Sequence, residues 1–120
     1  MSTLNVSNIT DGTTTVGTEY VVNGSAKAWV NFNGTGTVAI RDSFNVASLT
    51  DNGTGSYTLY LSNNMATANY VGHANVDLAD VIGNPYALST LAWTMRSYYP
   101  HGTAYSDPPY GWTSIQGDLA

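Results

Sequence analysis

Residues 26 to 61 read "AKAWVNFNGTGTVAIRDSFNVASLTDNGTGSYTLYL", an alternation of apolar and small polar side chains broken twice by Asn-Gly. A period of two places successive side chains on opposite faces of a strand, whereas an amphipathic helix needs 3.6. Ala28, Val30 and Phe32 therefore share one face, and Lys27, Trp29 and Asn31 the other. Asn33-Gly34-Thr35-Gly36 and Asp51-Asn52-Gly53-Thr54-Gly55 read as turns, because Asn and Gly accept positive φ at low cost. Tyr57, Leu59 and Leu61 resume the alternation.

The same reading predicts strands near 26–33, 37–41, 44–49, 56–61, 69–76 and 86–97, with Asn84-Pro85 between the last two. Val30, Phe32, Val38, Ile40, Leu59, Leu61 and Leu91 are the expected core, and Ala87, Ser89, Leu91, Trp93 and Met95 are expected to share a face. Turn signals at this spacing favour an all-β fold, an antiparallel β-sandwich or barrel-like module. Helical signals are weak; Asp77 to Gly83 could form one turn, with Asp77 as N-cap and Gly83 as stop. Residues 1–25 hold short apolar pieces between turn residues and read as an extended N-terminal arm, leaving 26–120 as the globular module. That arm cannot bury Leu4, Val6 and Ile9 by itself, so a neighbouring subunit or a particle is expected to cover them.

Composition narrows the function classes. The chain has 120 residues and no Cys, which removes disulfide, zinc-thiolate and Cys-nucleophile readings together. Charged residues make up 9%, against about 25% in ordinary proteins. Lys27, Arg41 and Arg96 are the permanent cations, too few and too scattered to neutralise a run of phosphates. Nucleic acid is not an expected partner, and neither is an anionic membrane. No run of about 20 apolar residues is present, so membrane insertion is not expected. The start, "MSTLNVSNIT", lacks the basic and apolar regions of a secretory signal.

Catalytic constellations are weak throughout, and no enzyme activity is expected. His101 lies near Ser106 and Asp107, but proximity in sequence is not a triad. His73 and Asp77 on one strand would lie about 13 Å apart, too far to share an ion. Asp77 and Asp80 on a helical turn would make a weak pair, so no metal is expected. Eight acids leave a glycosidase pair conceivable, but several sit in turns, where Asp has a backbone role. Gly34-Thr35-Gly36 lacks the third glycine and the helix of a dinucleotide loop, so no cofactor is expected. Sequons begin at Asn5, Asn8, Asn23, Asn33 and Asn52; three have Gly in the middle, and all read as turn chemistry.

Residues 97 to 112, "SYYPHGTAYSDPPYGW", stand apart as a long aromatic, Pro-rich loop. Tyr98, Tyr99, Tyr105, Tyr110 and Trp112 offer faces on which sugars stack, and His101 and Asp107 offer hydrogen bonds to sugar hydroxyls. The alternative is that these aromatics cover the end of the core or a seam between subunits.

The string "AKAWVNFNGTGTVAIRDSFNV", followed by "NNMATANY", resembles a segment of tail-fibre-like structural proteins of tailed bacteriophages. The resemblance covers about Tyr20 to Gly72, and the arm "MSTLNVSNITDGTTTV" also looks like the start of such proteins. It implies a virion component, a homotrimer with a β-rich module, anchored to other virion proteins through its arm. Placement on the tail is expected over the head, with host-surface glycan as a partner. Residues after about 73 match no pattern, and that part varies in the family, as a host-tuned surface would. Members are typically longer, with an anchoring region and a shaft; 120 residues leave room for neither, which points to a short tail-tip or adaptor-bound fibre. A capsid-decorating or head-fibre protein without receptor binding is the alternative, and an envelope-glycan-degrading enzyme a remote third. The family carries over no catalytic residues.

Overall fold

A computed structural model describes residues 1–101 and 104–120; Gly102 and Thr103, within the expected aromatic loop, lie outside the described residues. The arm begins with β1 (Asn8–Thr10) and β2 (Thr15–Gly17), a small antiparallel hairpin. The Asp11 carboxylate closes it by accepting from the amides of Thr13 (2.9 Å) and Thr14 (2.7 Å), and Gly12 takes φ +97°. These bonds hold the Asp11 carboxyl below its usual pKa. A short helix follows, α1 (Thr18–Gly24), with Glu19 in its first turn. A helix here departs from the extended arm read from sequence. Seven residues are too few to carry a visible 3.6 pattern, and none of them is buried.

The remaining strands are β3 (Ala26–Asn33), β4 (Ala39–Phe44), β5 (Val46–Asp51), β6 (Ser56–Leu61), β7 (Val71–Val76), β8 (Ile82–Leu88), β9 (Ala92–Tyr98) and β10 (Gly111–Gln116). They form two antiparallel four-stranded sheets, ordered β4-β3-β10-β7 and β5-β6-β9-β8. The fold is thus all-β, and of the two forms expected it is the sandwich. The chain crosses between sheets at Asn45 (φ +56°), which alone separates β4 from β5. It crosses again between β7 and β8, where Asp80 takes φ +61°.

The expected inward faces are the observed ones on β3 and β6. Ala28, Val30 and Phe32 pack against Tyr57, Leu59 and Leu61 across the sandwich, joined by Met65, Tyr70, Trp93, Met95 and Ile115. Val38 and Ile40 are partly buried against this cluster. Phe32 and Tyr57 meet with ring centroids 4.8 Å apart and planes tilted by 58°. Gly111 leaves room for the Phe32 ring, which a Cβ at that position would strike.

Several expectations are corrected. The long strand at 86–97 is a hairpin, β8 then β9, and Asn84-Pro85 lies inside β8. Pro85 is tolerated because β8 is an edge strand. The turn between the two is built by Ser89, whose Oγ accepts from the amides of Leu91 (3.3 Å) and Ala92 (3.1 Å). Leu91 therefore rides on the turn and is 56% exposed, not core, while Trp93 and Met95 are fully buried. Residues 77–83 form no helix. The Asp77 amide donates to Tyr110 O (3.0 Å), and Gly83 pairs with Ser97 in β8. The C-terminal end of the expected aromatic loop is strand β10, in the middle of its sheet.

One polar chain ties the sheets together through the core. Trp93 Nε1 donates to Thr113 Oγ1 (2.9 Å), and that hydroxyl donates to His73 O (2.8 Å). Thr113→Val keeps the side-chain shape but orphans a buried indole N–H. It should destabilise the fold by about 1–3 kcal/mol in denaturant unfolding with an unchanged m-value.

Candidate functional site

The outer face of sheet β4-β3-β10-β7 carries the chain's most distinctive side chains. Register sets them in two rows. Trp29 pairs with Phe44 on one side and Ser114 on the other, and Ser114 pairs with His73. In the next row Asn31 pairs with Asp42 and Trp112, and Trp112 pairs with Asn75. Trp29 and Trp112 thus stand diagonally across two adjacent strands, 38% and 40% exposed. Between them runs a groove of about 340 Å³ lined by Asn31, His73, Asn75 and Ser114. The Asn31 carboxamide oxygen is buried and takes no hydrogen bond from the described residues.

The groove continues into a stack. Tyr110 lies on Trp112 with centroids 5.8 Å apart and planes 20° from parallel. The Arg41 guanidinium caps the Tyr110 ring at 3.8 Å from its centroid. A β-bulge places Arg41 there, since Asn31 pairs with Asp42 and Phe32 with Ile40, leaving Arg41 as the extra residue. A cation on a ring fixes the ring's orientation and neutralises part of its face.

The candidates read from the aromatic loop do not form one surface. Tyr110 and Trp112 belong to the outer face just described. Tyr98 and Tyr105 pair with each other, ring centroids 6.3 Å apart, beside the second sheet. There Arg96 lies over Tyr86 at 3.4 Å and faces Tyr105 at 5.9 Å. Tyr99 and His101 are exposed on the intervening turn, where the Tyr99 amide donates to Ala104 O (3.0 Å).

Asp107 is engaged inside the fold. Its Oδ1 accepts from Tyr57 Oη (2.7 Å) and from the Gly55 amide (2.7 Å). Beside it, the Gly34 amide donates to Pro108 O (2.9 Å), and no side chain would fit at Gly34 between Tyr57 and Pro108. Together these bonds fasten the loop to the β3–β4 and β5–β6 turns. Burial, then the hydrogen bond and charge of Asp107, push the Tyr57 hydroxyl well above its usual pKa.

Sequence reading found Trp112 and Tyr110 but not Trp29, Asn31, His73, Asn75 or Ser114 as their companions. The signal was present in part, because Trp29 stands on the polar face of an alternating strand. What brings it to Trp112 is the β3–β10 pairing, a contact between residues more than 80 positions apart. Comparison with known proteins finds no matching family model, no matching curated protein and no matching solved structure.

Asp107→Ala should cost about 1–3 kcal/mol, read by thermal or denaturant unfolding, because Tyr57 Oη and the Gly55 amide both lose a charged acceptor. Tyr57 adds a pH signature. Its folded pKa lies above the unfolded value of about 10, so its contribution is complete below pH 10 and is lost as pH rises above it. The expected slope is about 1.4 kcal/mol per pH unit for this group, and Tyr57→Phe should remove it.

Proposed function

We propose that this chain is a structural subunit of a bacteriophage virion, a tail-fibre or tail-tip component that contacts glycan on the host surface. The observation that carries the recognition half is the Trp29–Trp112 groove. Two half-exposed indoles offer apolar faces to sugar rings, and Asn31, Asn75, Ser114 and His73 offer hydrogen bonds to ring hydroxyls between them. The unpartnered Asn31 oxygen is an acceptor in the wall of that groove, suited to a ligand hydroxyl after a small side-chain rotation. The virion half rests on the resemblance of residues 20–72 to tail-fibre-like proteins.

The arm fits assembly as a homotrimer. Leu4 is 82% exposed and Tyr20 69%, and Val6, Ile9, Val16, Val21 and Val22 are also exposed. So much apolar surface on a thin hairpin and helix is suited to burial against neighbouring copies and an anchoring virion protein. Trimerisation would also place three grooves on one particle tip, so that weak sugar contacts act together.

Particles carrying Trp29→Ala or Trp112→Ala should assemble normally, with a stability loss of about 1–2 kcal/mol, since each indole packs on its cross-strand neighbours and Trp112 also stacks on Tyr110. Their adsorption to host cells should fall at least tenfold, the loss of about 1.4 kcal/mol or more of contact. Normal adsorption by both variants would overturn the recognition reading, and failed assembly would assign the indoles to a subunit seam. Light scattering should give the mass of three 12.7 kDa chains at micromolar concentration, and deletion of residues 1–15 should yield monomers.

A further inference from the structure

A second groove, of about 470 Å³, opens at the seam where β4 passes into β5. Its walls include Ser25, Lys27, Phe44, Asn45, Ser62 and Asn63. Lys27 is the unusual member. It is only 8% exposed, and its Nζ donates to Ser25 O (2.8 Å) and Ser25 Oγ (3.1 Å). Both partners are neutral, and among the described residues no carboxylate pairs with this ammonium. The ammonium thus bonds only neutral groups and has a third N–H to give. Arg41 and Arg96, by contrast, lie over tyrosine rings.

The surrounding groups are graded by what they have left. Asn45 is spent: its Nδ2 donates to Lys27 O (3.0 Å) and Asn63 O (3.1 Å), and its Oδ1 accepts from Asn63 N (2.7 Å) and Nδ2 (3.3 Å). It acts as a fixed brace that holds the Lys27 backbone against the 62–63 turn. Asn63 keeps one amide N–H free of these bonds, Ser62 is exposed, and Phe44 presents a ring that is 55% exposed. A cation, a hydroxyl, an amide and an aromatic face around one opening match a sugar that carries a carboxylate. The acid would pair with Lys27, the ring hydroxyls with Ser62 and Asn63, and the apolar sugar face with Phe44.

We infer that this seam groove binds a sugar acid through a salt bridge from its carboxylate to Lys27. The site adjoins the outer face at Phe44, the cross-strand neighbour of Trp29, but neither Trp29 nor Trp112 lines it, and it does not depend on them. The test is amide NMR of the full chain titrated with D-glucuronate, with D-glucose and acetate as controls. D-glucuronate should shift Lys27, Asn45, Ser62 and Asn63 saturably, while glucose leaves them unmoved and acetate binds at least tenfold more weakly. Lys27→Gln should weaken glucuronate at least tenfold, the loss of a charged hydrogen bond. Ser62→Trp fills the opening without touching the Lys27–Ser25 bonds and should abolish binding, so the inference stays testable if Lys27→Gln does not fold. Three results would each overturn it: no shift at these residues, shifts that survive Ser62→Trp, or equal binding of acetate or glucose. Loss of the outer-face function in Trp112→Ala would leave all of these readouts unchanged.

Discussion

The hydrogen-bonded chain from the Trp93 indole through the Thr113 hydroxyl to the His73 carbonyl is the contact on which the rest of the structure depends. Trp93 belongs to one sheet, Thr113 and His73 to the other. Apolar packing alone does not fix how two sheets slide over each other; a directional bond between them does. Thr113 lies between Trp112 and Ser114 on β10, so the bond that sets its inward position also sets theirs outward. His73, whose carbonyl ends the chain, presents its ring to the groove. The Trp29–Trp112 face is therefore the back of this buried polar chain, held by strands in the middle of a sheet and not by a loose loop.

Much of this was legible in the sequence where alternation is clean. Strand 26–33 and strand 56–61 stand at their expected bounds, with their inward residues buried. The signals at Asn33-Gly34 and at Asp51 to Gly55 mark real turns: Asn33 Oδ1 accepts from Thr35 N and Oγ1, and Gly53 and Gly55 take positive φ; Asn23-Gly24 instead ends α1. Legibility ends where a weaker local chemistry decides. Ser89 closes a tight turn with its hydroxyl, without Gly, Asn or Pro, so the strand appeared to run through it. Ala87 sits at φ +51° in a bulge beside it, a conformation its side chain gives no hint of. Strand β10 was hidden behind a Pro-rich run, although Trp112, Ser114 and Gln116 alternate with the buried Thr113 and Ile115. Half of the candidate site lay on strands whose partners only the tertiary register reveals.

The low charge takes on meaning with the fold. The arginines lie over tyrosine faces and the lysine is buried, so apart from exposed carboxylates such as Asp42, Asp51, Asp77 and Asp80 the surface is largely hydroxyl, amide and aromatic. It suits the proposed role, in which sugars would be read by stacking and hydrogen bonding. Each such contact is weak, and threefold presentation would make them sufficient together.

We propose that Trp29 and Trp112 form the surface that meets glycan. Their fluorescence reports on it directly, because Trp93 is fully buried and the other two indoles are the accessible ones. Acrylamide quenching of the assembled protein should fall on addition of host envelope polysaccharide, as sugar shields both indoles, and should be unchanged on addition of polysaccharide from a non-host strain. Undiminished quenching at polysaccharide concentrations that block particle adsorption would contradict the account, since the particle would then be reading its host through some other surface.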